Sequence, residues 1–130
     1  MEVGSRDYLF FFFAEVRDSF PYLVSINSVL PAIIAGNAVL LKPSPQTPLT
    51  AERFSLALAR AGVPQDVIQV LHLSPTLTNY VISRKSVDFV SFTGSVEGGR
   101  SVANTAANAV GFTGVALEVG EYSTLKSESL

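Results

Sequence analysis

The feature that most constrains the fold is a regular alternation of short apolar runs with segments of helical periodicity. Continuous apolar runs of this length are typical of strands buried on both faces of a sheet. Four such runs occur, at residues 38–41, 67–73, 87–92 and 110–119, the last broken by Gly114. Alternation of strands and helices at this spacing predicts an α/β fold with a parallel sheet and right-handed crossovers.

The segments between the runs carry helical signals. Apolar residues at 23, 26, 30 and 33 predict one helical stripe, which Gly36-Asn37 would end. A second helix is predicted from Thr47 as N-cap and Pro48 at the first position, with Gly62 and Pro64 at its end. Its apolar face would be Ala51, Phe54, Leu58 and Ala61. Residues 77–83 and 96–108 are two further predicted helices.

Composition excludes several classes of function. Charged residues are 15% of the chain and hydrophobic residues 48%, whereas a soluble domain carries about 25% charged residues. Such a chain either associates with a membrane or buries apolar surface against a partner or domain that is not part of this sequence. The net charge is −2 without a basic run, which predicts no nucleic-acid partner. The absence of cysteine excludes disulfides and a cysteine nucleophile, and one histidine, His72, forms no metal cluster alone.

Two apolar stretches resemble membrane segments. Residues 8–14 include four consecutive phenylalanines but are too short to span a bilayer, which takes about 20 apolar residues. Residues 20–41 are uncharged but contain Pro31, Gly36 and several polar side chains, so a buried helix and strand explain them better. The first residues include Glu2 and Asp7 rather than the basic start of a signal peptide. We therefore expect no membrane partner and a cytoplasmic location.

Ligands of parallel sheets bind at the carboxyl ends of the strands, where two loops carry candidate residues. Lys42 closes one strand before the loop 43–48; it either reaches the hydroxyls or phosphate of a nucleotide or is simply solvated. Phe92-Thr93-Gly94-Ser95 joins a strand to a helix, where free N–H groups and positive potential favour a diphosphate. The alternative is a turn that needs only backbone freedom, and no G-x-G-x-x-G motif occurs in the chain.

A third candidate, Glu118, ends the last predicted strand between apolar neighbours. A carboxylate in such a position can serve as a general base. It can equally be a surface glutamate at a fraying strand end. His72, after the second strand, is interpreted as a boundary residue.

Taken together, these segments resemble the aldehyde dehydrogenase family. Residues 31–51 resemble the segment around its cofactor lysine, Phe92-Thr93-Gly94-Ser95 its phosphate turn, and Leu117-Glu118-Val119-Gly120 its general-base motif, in family order. The resemblance implies a Rossmann-like parallel sheet with helices on both faces, as a truncated coenzyme-binding domain over residues 20–120. Residues 1–19 would be a divergent N-terminal segment and residues 121–130 a polar tail.

The implied reaction is oxidation of an aldehyde to a carboxylic acid with NAD or NADP, through a cysteine thiolate, a glutamate base and an oxyanion-binding asparagine. The resemblance assigns Glu118 as the base. It assigns Lys42, Ser44, Gly94 and Ser95 to the nicotinamide dinucleotide, with Lys42 at the adenosine ribose. Pro45 stands where many members have a ribose-binding glutamate, so NADP use becomes compatible with this loop.

Departures from the family pattern lie at both ends of the resemblance. Ser19 occupies the asparagine position, Glu121 follows Gly120 in place of a second glycine, and the family's cysteine would lie beyond residue 130. The expectation is a fragment that is inactive alone and lacks the elements with which the family forms homo-oligomers. An aldehyde would bind only to an intact relative. The alternative is a non-catalytic nucleotide- or partner-binding module that keeps the fold.

Overall fold

The structure, a computed structural model, describes residues 21–120 and the backbone of residues 11–16. Within these residues five parallel strands form one sheet with helices on both of its faces, as predicted. The strands are β1 (Phe11–Val16), β2 (Ala38–Pro43), β3 (Ile68–Val70), β4 (Phe89–Gly94) and β5 (Gly114–Val119). The helices are α1 (Pro21–Ile34), α2 (Pro48–Arg60), α3 (Pro75–Ile82) and α4 (Val96–Ala107), with a 3-10 turn at Gln65–Val67.

β1 is the element that the sequence pattern does not predict. It lies between β2 and β4 and is paired with both, so that Phe13 stands opposite Leu40 on one side and Val90 on the other. Its aromatic residues have high strand propensity. Residues 11–16 therefore belong to the same sheet as the rest of the described chain, whereas the resemblance begins at Phe20.

The strand order is β3-β2-β1-β4-β5. From β1 the chain builds outward through β2 to β3, then returns to the other side of β1 and builds outward again through β4 to β5. The order thus reverses between β1 and β4, which makes this point of the carboxyl edge a topological switch point. In open parallel sheets the crevice at such a point is where ligands bind.

One core lies between the sheet and the pair α1 and α2. Its buried residues are Val29, Ala32, Val39, Leu41, Ala51, Phe54 and Ile68. The second core lies on the opposite face, beneath α3 and α4. Its buried residues are Ile82, Val87, Val90, Phe92, Val102 and Ala106.

The buried face of α1 differs from the predicted stripe. Leu23 and Ile26 are exposed, and the buried positions are Ser25, Val29 and Ala32. Small side chains let a helix lie close to the sheet, and the Ser25 hydroxyl is satisfied because it donates to the Pro21 carbonyl at 2.6 Å. When apolar residues lie on nearly every side of a helix, periodicity does not indicate which side faces the sheet.

Element ends follow the predicted signals in most places. Gly36 and Gly62 follow α1 and α2 with φ of 87° and 98°, the left-handed conformation that ends helices and that glycine adopts without strain. Thr47 stands at the N-cap of α2, but its side chain makes no cap hydrogen bond. β3 is shorter than the predicted run of residues 67–73: the 3-10 turn includes Val67, and the strand ends at Val70. β5 begins at Gly114.

Two predictions fall outside the described residues: the assignment of Ser19 and the polar tail at residues 121–130. Among the described helices, none combines the length and the apolar character that crossing a bilayer requires. The uncharged stretch at residues 20–41 instead contributes α1 and most of β2.

Candidate functional site

The turn between β4 and α4 presents a helix N-terminus at the carboxyl edge of the sheet. Ser95 is the N-cap: its Oγ accepts the N–H of Gly98 at 3.1 Å, and its carbonyl accepts the N–H of Gly99 at 2.9 Å. The first N–H groups of a helix lack partners within the helix and carry a partial positive charge. Glu97 also lies in this first turn and offsets part of that potential.

The Phe92 ring supports the turn from below. A Cβ added at Gly94 or at Gly98 would stand 2.7 Å from the ring's Cζ. Neither glycine has a positive φ, so neither is required by backbone conformation. Glycine is needed here because the buried ring approaches the backbone of both residues.

An open cleft of about 380 Å³ lies beside this turn. It is bounded by the turn, by the loop after β2 and by the facing sides of α3 and α4. Its lining residues are Ser44, Pro45, Gln46, Pro75, Thr78, Asn79, Phe92, Thr93, Gly94, Ser95, Gly98, Ser101 and Val102. The polar side chains among them are uncharged hydroxyls and amides, which suit the hydroxyl and phosphate groups of a nucleotide.

The loop after β2 is held as a tight turn. The Gln46 N–H donates to Ser44 Oγ at 3.2 Å, and the Thr47 N–H donates to the Ser44 carbonyl at 3.1 Å. Pro45 occupies the second position of this turn, which its fixed φ favours. The turn holds residues 44–46 at one side of the cleft.

The wall formed by α3 and α4 was not foreseen from the sequence. Asn79 Nδ2 donates to Ser101 Oγ at 3.0 Å across the two helices, and the buried Thr78 hydroxyl donates to the Ser74 carbonyl at 2.9 Å. Asn79 and Ser101 are far apart in the sequence, and no motif connects them. Only the packing of α3 against α4 brings them to the cleft.

Lys42 is not among the residues that line the cleft. It is 3% exposed, and its Nζ donates to the Pro43 carbonyl at 3.4 Å. In the sheet it lies at the level of Phe92, since both residues stand opposite Glu15 of β1. The lysine is therefore at the carboxyl edge of the sheet, with β1 between its strand and the strand that leads to the β4–α4 turn, and its ammonium group contacts the Pro43 carbonyl.

Glu118 lies at the same edge but on the other face of the sheet. It stands opposite Thr93 and is exposed. Its neighbour Val119 faces α4, because a Cβ at Gly99 would stand 2.5 Å from Val119 Cγ1. Successive side chains of a strand alternate between faces, so Glu118 points away from α4, and it is not among the residues that line the cleft.

Of the five residues predicted for the site, the structure brings Ser44, Gly94 and Ser95 together at the cleft. Lys42 and Glu118 share the sheet edge without lining it. His72, interpreted as a boundary residue, has its Nε2 2.7 Å from Glu52 Oε1, in a half-exposed pair away from the cleft lining.

Comparison with known proteins gives one consistent family. The sequence model of the aldehyde dehydrogenase family matches residues 19–125. Among curated relatives, N-succinylglutamate 5-semialdehyde dehydrogenase of Novosphingobium aromaticivorans is 39% identical over 102 residues, which cover 78% of this chain and 21% of that protein. The chain thus spans about a fifth of the length of the curated relatives that it matches.

Solved structures agree with the sequence comparison. A succinic semialdehyde dehydrogenase from Streptococcus pyogenes, in complex with NADP+, superimposes with a TM-score of 0.80 at 31% identity, over 85% of this chain and 24% of that one. An NAD-dependent benzaldehyde dehydrogenase from Corynebacterium glutamicum gives a TM-score of 0.80 at 34% identity, with the same two coverages.

Proposed function

The chain belongs to the aldehyde dehydrogenase family, and from this premise we propose that its residues 20–120 serve as a nicotinamide dinucleotide-binding part. The observation that carries the proposal is the cleft at the switch point. There the N-terminus of α4 and the turn at residues 44–46 converge on one open space lined by neutral polar groups. Dinucleotides bind in crevices of this kind, with the diphosphate at a helix N-terminus.

Each predicted residue has a role in this arrangement. The backbone at Gly94 and the exposed Ser95 hydroxyl would contact the diphosphate, and Ser44 would contact ribose hydroxyls. Lys42 would reach the adenosine ribose only after its ammonium group leaves the Pro43 carbonyl. A bound nicotinamide dinucleotide would supply a hydride acceptor, while the protein residues bind and orient it.

The reaction of the whole enzyme is proposed as oxidation of an aldehyde to a carboxylic acid. Glu118, exposed on the face opposite α4, would accept a proton from water as general base. The 130 residues contain no cysteine, so this polypeptide supplies no thiolate to attack an aldehyde. We therefore propose that it binds the coenzyme but does not turn over aldehydes alone.

The zero-cysteine composition also favours a second candidate, a binding module that keeps the fold without the reaction. Calorimetric titration of the full chain with NAD+ and NADP+ distinguishes both of these binding candidates from an inert fragment. A working module binds at least one coenzyme with a Kd of about 1 mM or tighter, which corresponds to roughly −4 kcal/mol. Absence of heat with both coenzymes would overturn the binding proposal.

The residue assignments are tested in the same titration. Ser95→Ala and Lys42→Ala should each weaken binding, since each removes a hydrogen-bond donor to the coenzyme. Ser101→Ala tests whether the wall formed by α3 and α4 contributes as much to coenzyme binding as the β4–α4 turn does. Sustained NADH formation from an aldehyde by the pure chain, followed by absorbance, would contradict the requirement for a cysteine.

A further inference from the structure

We propose that the outer edge of β5 is an interaction surface on which a second copy of this chain pairs, strand against strand, about a two-fold axis. The inference is independent of the coenzyme, because β5 contributes no residue to the cleft lining. It concerns the end of the strand order β3-β2-β1-β4-β5. There β5 has β4 on one side and, within the described residues, no strand on the other.

The two edge strands of the sheet differ in how they are protected. An edge strand offers unpaired N–H and C=O groups to another chain, and soluble proteins blunt such edges with short strands, lysine, proline or bulges. β3 is short, with three residues. β5 has six residues, among them one glutamate but no lysine or proline, and it pairs with β4 in unbroken register from Gly114 to Val119. Of the two edges, β5 is therefore the one open to pairing.

The direction of the β5 backbone groups follows from its bonds to β4. The Gly114 N–H donates to the Asp88 carbonyl at 2.9 Å, so the backbone of Gly114 faces β4. Because the backbone groups of successive residues point alternately to the two sides of a strand, the even-numbered residues of β5 all face β4. The odd-numbered residues direct their N–H and C=O groups to the outer edge, namely Val115, Leu117 and Val119.

The side chains of these outward residues form an apolar row on the face of the sheet that carries α4. Val115 packs against the second core, and Val119 Cγ1 would stand 2.5 Å from a Cβ at Gly99 of α4. Even so, Leu117 is 41% and Val119 is 44% exposed. A further strand beside β5 would remove part of this apolar surface from water, which is favourable.

An antiparallel pair with Leu117 on the two-fold axis matches both features. It places Leu117 opposite its own copy and Val115 opposite Val119 of the partner subunit, so the outward backbone groups bond reciprocally and the apolar rows meet. On the other face Glu118 stands opposite Ala116 of the partner subunit, so the two carboxylates are not directly opposite each other. The strand is thus complementary to itself in hydrogen bonding, packing and charge, which favours a second copy over an unrelated strand.

Sedimentation equilibrium of the full chain should show a monomer–dimer equilibrium with a micromolar Kd, since one strand per partner makes a small interface. Leu117→Lys should weaken association by about tenfold or more, because it sets two like charges across the axis. Leu56→Lys is the matched control: Leu56 lies on α2 and is 51% exposed, and the same charge there should leave the Kd unchanged. Circular dichroism establishes that both variants fold.

Amide hydrogen exchange followed by NMR, at concentrations above and below the Kd, identifies the surface. Dimer formation should slow exchange at the outward amides of Val115, Leu117 and Val119 by about tenfold or more. The amides of Ala116 and Glu118, which face β4, should not change. A chain that stays monomeric at millimolar concentration overturns the proposal. Association that Leu117→Lys leaves intact, or that protects no outward amide of β5, overturns it as well.

Discussion

Ser95 caps α4 in this structure and has a second, proposed task at the cleft. Its hydroxyl oxygen caps α4 by accepting the Gly98 N–H at 3.1 Å, while its exposed position at the cleft suits a donor to phosphate. The two tasks are compatible, because a hydroxyl accepts through its oxygen and donates through its hydrogen. A substitution here should lower the stability of the helix and, if the proposed function holds, should also weaken coenzyme binding.

Replacing the cap should lower stability in a predictable way. Ser95→Ala removes the acceptor of the Gly98 N–H, and loss of an N-cap costs about 1 kcal/mol of unfolding free energy. Urea denaturation followed by circular dichroism measures the loss. Ser95→Thr keeps the acceptor and should retain most of the stability. Equal midpoints for the alanine variant and the unmodified chain would show that the cap contributes nothing.

Gly94 permits a close approach of the Phe92 ring. Gly94→Ala would place a Cβ 2.7 Å from the ring's Cζ, and because the ring is buried, overpacking should cost about 1–3 kcal/mol. Chemical denaturation is the measurement. Gly111→Ala is the control, since its Cβ would meet only Lys85 Cγ at 3.8 Å. Phe92→Leu should recover part of the loss in the double variant; additive losses would argue against the ring as the cause.

At the scale of elements, apolar periodicity and the residues that begin and end helices predict α2, α3 and α4 well. Pro48 at the start and Gly62 at the end delimit α2, and Ala51 and Phe54 of its predicted face are buried. In α1 the same reasoning finds the helix and misses its orientation, because nearly every position is apolar. The sheet selects the small residues Ser25 and Ala32 for burial, which no helical stripe could indicate.

Two isoleucines at helix ends provide a matched test of the second core. Ile82 ends α3 and is 0% exposed, whereas Ile34 ends α1 and is 84% exposed. Ile82→Ala should lower the unfolding free energy by about 2–5 kcal/mol through lost burial and a cavity. Ile34→Ala should change it by no more than about 0.5 kcal/mol. Similar losses for both variants in urea denaturation would contradict the packing of α3 against the sheet.

At the scale of the whole molecule, β1 joins two halves. On one side β2 and β3 pack against α1 and α2, and on the other β4 and β5 pack largely against α3 and α4. Both halves are hydrogen-bonded to β1. Without it the backbone groups of β2 and β4 that face β1 would lose their partners, and an unpaired buried group costs about 1–3 kcal/mol.

Deletion of residues 1–16 should therefore abolish the cooperative unfolding transition, since it removes β1 and many paired backbone groups at once. Deletion of residues 1–10 leaves β1 in place and is the control, for which we expect a cooperative transition. Thermal unfolding followed by circular dichroism compares the two. If the chain that lacks residues 1–16 unfolds as cooperatively as the control, the central place of β1 is wrong.

The sequence by itself determined most of the local elements of this protein. Apolar runs gave strands, prolines and glycines marked helix ends, and the residues at strand ends identified the two loops that meet at the cleft. These signals are local, because helical and strand periods and turn chemistry depend on neighbouring residues. The same locality explains why Gly94 and Ser95 could be proposed from the sequence as site residues, whereas Ser44 was proposed through the family resemblance.

The tertiary structure alone decided the position of β1 and, with it, the switch point beside which the cleft opens. A short phenylalanine-rich run has the same local pattern whether it is a central strand or an apolar surface segment. Its place depends on hydrogen bonds with β2 and β4, which flank it in the sheet and come later in the chain. For the same reason only the fold separates Glu118 from the cleft and joins Asn79 to Ser101, since strand pleat and helix packing act between distant residues.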